Sequence, residues 1–125
     1  MATVITSFAQ LGQYIDGILS ANGDLPVGGK HKQFWDTLTY QQFTTGTVPG
    51  IVDPTTLQPM KILVVGNSKA SNLIMALAGA KNTVFDPTTG AIGQMPLGGT
   101  AFTPAQIAPI AAWIDAGCPQ GPVQT

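Results

Sequence analysis

His31 is the single histidine and Cys118 the single cysteine in a chain of 125 residues. All six acids are aspartates (16, 24, 36, 53, 86, 115) and all five bases are lysines (30, 32, 61, 69, 81). With one thiol there is no internal disulfide and no C-x-x-C metal or redox motif. A metal site would need His31, Cys118 and an aspartate to converge. A hydrolase would need His31 to activate a serine, with Asp24 or Asp36 behind it, and no nucleophile-elbow sequence supports that arrangement. No two carboxylates lie close in sequence, so general acid–base catalysis has no visible pair. Cys118 follows a helix C-terminus, whose dipole disfavours a thiolate, and it reads as a small apolar residue. Gly28-Gly29-Lys30 and Val65-Gly66-Asn67-Ser68-Lys69 lack the G-x-x-x-x-G-K-[ST] spacing of a phosphate loop and read as turns.

The composition narrows the classes further. Charged residues make up 9% of the chain, against about 25% in ordinary domains. A net charge of −1 with scattered lysines argues against nucleic acid and against an anionic membrane surface. A surface poor in charge is weakly repulsive, which favours contact with a protein partner and weak self-association. At 12.9 kDa and 44% apolar, the chain is expected to form a single domain, 1–125, with flexible ends at about 1–4 and 119–125. No segment is apolar for long enough to span a membrane. The start lacks a basic signal-peptide region, so a cytoplasmic location is expected for the chain as given. A periplasmic or secreted one is expected if a signal has been removed.

The elements that would position these residues are mostly helical. Phe8, Leu11, Ile15, Ile18 and Leu19 form one stripe of a helix over 6–21, with Ser7 and Gln10 as a capping box and Asn22-Gly23 as its stop. Residues 24–30 read as loop, followed by a short helical piece carrying Phe34, Trp35 and Leu38. Thr39 and Gln42 form a second capping box for a helix closed by Gly46. Pro49, Gly50, Pro54 and Pro59 make 47–60 an irregular connection. Residues 61–65, with β-branched Ile62, Val64 and Val65, predict a short buried extended stretch ended by Gly66. Asn67 or Ser68 then caps a helix over 69–78 that stops at Gly79. Residues 80–102 read as loop. The last helix starts at Thr103, with Pro104 at its first position and Gln106 three after the cap. It presents Ile107, Ile110, Ala111 and Ile114 on one face, with Trp113 at the margin and a bend at Pro109. Asp-Pro-Thr-Thr occurs at 53–56 and 86–89 and reads as two turns of the same chemistry.

Three pieces in order resemble the C-terminal half of small c-type cytochrome domains of the planctomycete type. Ile62-Leu63-Val64-Val65-Gly66 through Leu73 is similar to their entry into the middle helix. Met95-Pro96-Leu97-Gly98-Gly99 is similar to the loop that supplies the axial methionine. Phe102-Thr103-Pro104 through Trp113-Ile114-Asp115-Ala116-Gly117-Cys118-Pro119 is similar to their closing helix. The resemblance implies a mostly α domain of three to four helices with long loops. It departs from the family where the C-x-x-C-H haem attachment should stand. Residues 18–24 read Ile-Leu-Ser-Ala-Asn-Gly-Asp, so covalent haem attachment is ruled out. The expected protein is therefore haem-less, without a cofactor, with Phe34, Trp35, Tyr40, Phe43, Phe85 and Phe102 filling the space a porphyrin would take. The function expected is a non-catalytic binding or interaction module. Its alternatives are a non-covalent haem-binding electron-transfer protein using His31 and Met95 as axial ligands, and a small hydrolase using His31.

Overall fold

Side-chain caps open three of the four described α-helices. A computed structural model describes residues 4–23, 35, 38–54, 56–86, 88–95 and 102–121. Helix α1 spans Phe8–Ala21. The Ser7 hydroxyl accepts from the Gln10 backbone N–H at 3.1 Å. The Gln10 side chain does not return to Ser7. It accepts from the Thr6 N–H and hydroxyl, each at 2.8 Å, so the box is displaced by one residue. Helix α2, Tyr40–Thr45, carries the complete reciprocal box between Thr39 and Gln42. Helix α3 is Asn72–Ala78, closed by Gly79 in the left-handed conformation at φ 59°. Helix α4, Pro104–Asp115, has a complete Thr103–Gln106 box and runs through Pro109.

The expectation of a mostly α, all-helical domain is corrected by a sheet. Strand β1 (Thr47–Val52) pairs antiparallel with β2 (Pro59–Lys61), with Thr47 opposite Lys61 and Val52 opposite Pro59. The described residues therefore form a mixed α/β fold of four α-helices and a two-stranded hairpin. The prolines that read as loop punctuation are tolerated here. Pro59 opens a strand, and Pro49-Gly50 sit in the stretch where the register is irregular. β1 points Val48 at the main core and Ile51 at a smaller cluster.

The stretch after β2 also departs from expectation. Ile62 and Leu63 are buried, but Val64 and Val65 are exposed. They form the corner of a tight turn in which the Asn67 N–H donates to the Val64 carbonyl at 2.9 Å. Gly66 at φ 81° supplies the positive φ that such a turn needs at its third position. The helix expected over 69–78 is broken. A 3-10 turn at Ser68–Ala70 is followed by Ser71 in an extended conformation, and α3 starts only after it. Ser71 is fully buried. Its hydroxyl accepts from the Val64 N–H at 2.9 Å and donates to the Asn67 carbonyl at 2.8 Å, so the side chain satisfies backbone groups of the turn that precedes the helix.

The main core unites α1, α2, α3 and α4 around Leu11, Phe43, Ile62, Ile110, Trp113 and Ile114. Trp113, expected at the margin of its helix face, is 1% exposed and lies at the centre. Its ring packs on Phe43 at 6.3 Å, and Phe8 packs on Phe43 at 5.2 Å and on Tyr40 at 5.7 Å. Trp35 and Phe102 belong to this cluster, whereas Phe85 joins Met60 and Ala76 in the smaller one. Phe34 lies outside the described residues.

Candidate functional site

Among the described residues, Asp86, Asp115 and Ser68 are engaged in holding local structure. Asp86 is buried in the loop after α3. Its carboxylate accepts from the backbone N–H groups of Thr88 at 2.8 Å, Asn82 at 3.1 Å and Thr89 at 3.3 Å. Those donors, Thr88 foremost, hold its carboxyl below the usual aspartate range. The loop is closed tightly beside it. A Cβ on Gly90 would lie 2.3 Å from the Val84 carbonyl oxygen, so only glycine fits there. A shallow open depression of about 420 Å³ lies over this loop, lined by Asn82, Thr83, Val84, Thr89, Gly90 and Ala91.

Asp115, at the end of α4, reaches back to the 3-10 turn. It accepts from the Ser68 N–H at 2.8 Å and the Ser68 hydroxyl at 2.9 Å, and these bonds lower its pKa, with Lys69 adding a smaller electrostatic contribution. The Ser68 hydroxyl and N–H thus both donate to one carboxylate, which ties the end of α4 to the 3-10 turn. Asp16 accepts from the Trp35 indole N–H at 2.8 Å. Cys118 is fully buried, and burial pushes its thiol up to about 11. Among the described residues, no three His, Cys or Asp side chains gather as metal ligands.

Of the two residues weighed as haem ligands, Met95 is half-buried in the loop before α4. Its side chain packs against both apolar clusters, and its N–H donates to the Ala76 carbonyl at 2.8 Å. These are the contacts of a space-filling thioether. His31 lies outside the described residues, as do Asp24 and Asp36, the candidate members of a triad.

The structure draws attention instead to a place that sequence reasoning passed over, the tip of the β1–β2 hairpin. The Asp53 N–H donates to the Gln58 carbonyl and the Leu57 N–H to the Asp53 carbonyl, both at 2.8 Å. The Asp53 carboxylate also accepts from the Thr56 N–H at 3.4 Å. This framework holds Leu57 at φ 60°, a left-handed conformation unfavourable to a residue with a Cβ. Leu57 is 73% exposed, and Val52 at the end of β1 is 51% exposed. A usable signal was present in Asp-Pro-Thr-Thr-Leu-Gln-Pro. Leucine stands where glycine would be easier, which leaves an apolar side chain in solvent on a strained backbone. No family model, curated protein or solved structure matches the chain. No helix among the described residues is long and apolar enough to cross a membrane.

Proposed function

We propose that this protein is a non-catalytic interaction module that contacts an apolar surface of a protein partner through its hairpin tip. The observation that carries this reading is Leu57, an exposed leucine held in a left-handed turn by main-chain hydrogen bonds. Water exposure makes the side chain unfavourable where it is, and the turn makes the backbone unfavourable too. Contact with a partner would recover the first term. The engagement of Asp86, Asp115, Ser68 and Cys118 in structural bonds and burial supports the same reading. On this reading the resemblance of 61–121 to a c-type cytochrome's C-terminal half is one of sequence, without the redox chemistry.

The test is a photo-reactive amino acid placed at Thr56, beside Leu57, in the organism that makes the protein. A discrete cross-linked partner, lost in Leu57→Asp while the circular dichroism spectrum stays unchanged, is the expected result. Cross-linking that ignores Leu57→Asp and Val52→Asp would defeat the reading.

A further inference from the structure

Beyond α4 the chain turns back as a short strap. The turn is a helix C-cap in which the Gly117 N–H donates to the Ile114 carbonyl at 2.9 Å and the Cys118 N–H to the Trp113 carbonyl at 3.0 Å. Three consecutive strap carbonyls then each meet a donor from a different helix. The Tyr40 hydroxyl at the start of α2 donates to the Cys118 carbonyl. The Trp113 indole N–H on α4 donates to the Pro119 carbonyl at 2.8 Å. The Phe8 N–H, the first of α1, donates to the Gln120 carbonyl at 3.2 Å. The three donors make a track that reads the main-chain acceptors of the returning segment, and the Cys118 side chain is fully buried at its head.

The turn feeding this track is strained. Gly117 takes φ 93° freely, but Cys118 beside it is held at φ 55°, where a Cβ crowds its own backbone. A short hinge under strain that returns a segment onto its own domain favours exchange of that segment between molecules. We infer that the track formed by Phe8, Tyr40 and Trp113 accepts the strap, residues 118–121, of a second copy of this chain, giving a reciprocal strap-exchanged dimer. Both copies keep every track hydrogen bond, and the opened hinge releases the left-handed turn at Cys118. This inference is independent of the hairpin reading.

The test uses the full chain carrying two different affinity tags, mixed from micromolar to millimolar concentration. The expected results are a dimer fraction that rises with concentration and co-purification of the two tags. Gly117→Val, which strains the closed turn, should raise the dimer fraction several-fold. Cys118→Gly, which relaxes that turn, should lower it several-fold. An excess of synthetic peptide 116–125 should dissolve the dimer into peptide-bound monomers. A chain that stays monomeric throughout would overturn the inference. So would a dimer indifferent to both hinge variants and to the peptide. A peptide of unrelated sequence that competes equally well would overturn the assignment to a second copy and make segments of other proteins the occupants.

Discussion

On the proposed reading, Leu57 separates stability from binding at a single residue. Glycine adopts φ 60° without the Cβ crowding that leucine meets. Leu57→Gly should therefore raise the unfolding free energy by about 1 kcal/mol, read by urea titration, while abolishing partner contact. A fall in stability would show that the leucine is doing structural duty. The buried thiol makes a second prediction at this scale. Cys118 has its folded pKa raised to about 11 from 9.0. Its contribution is fully present below pH 9.0 and is lost as pH rises toward about 11, because the unfolded chain ionises first. Stability should decline across that window, and Cys118→Ala should flatten the decline. Asp86 works at the other end of the scale. Its folded pKa lies below the ordinary 3.8, so its contribution is present above that value and lost as pH falls through the depressed one. Asp86→Asn should weaken the acid dependence of the melting temperature, and an unchanged acid slope would contradict the assigned hydrogen bonds.

Legibility in the sequence differed by element. The starts of α2 and α4 were readable because threonine and glutamine at fixed spacing satisfy named backbone donors, a local transaction that needs no tertiary partner. The hairpin was not readable. Its strands carry Pro49, Gly50 and Pro59, and their irregular register depends on what Val48 and Ile51 pack against. The break before α3 was hidden for a related reason. Ser71 looks like any helix-tolerant residue until Val64 and Asn67 are placed beside it in space. Ser71→Ala leaves the Val64 N–H and the Asn67 carbonyl without that hydroxyl, at a cost of about 1–3 kcal/mol. The loss should appear in chemical denaturation without a change in the helical circular dichroism signal. The proposed contact tip is legible only in part: the sequence marks a turn at 53–56, but exposure of Leu57 is a property of the assembled turn and not of residue type.

At the level of the whole molecule, one aromatic ladder links the beginning of the chain to its end. Phe8, Phe43 and Trp113 meet in sequence through tilted and edge-to-face contacts, and Tyr40 and Trp113 hold the returning strap. The c-type cytochrome resemblance placed bulky rings where a macrocycle would sit. The structure puts Phe8, which that expectation omitted, in the cluster and puts Phe85 elsewhere. Burial of a ring depends on which helices meet, and the hydrophobic stripe of α1 alone does not say which helix it will face.

The strap also brings Gly121 against Ser7: a Cβ on Gly121 would lie 2.5 Å from the Ser7 Cβ. The two ways out of the domain therefore open side by side, like both leads of a plug-in cartridge. A circular permutant that joins 121 to 4 through a short glycine-serine linker and opens at residues 54–57 should fold with a near-native near-ultraviolet spectrum. The same adjacency means the unit could be spliced whole into a surface loop of an unrelated host without prying that host apart.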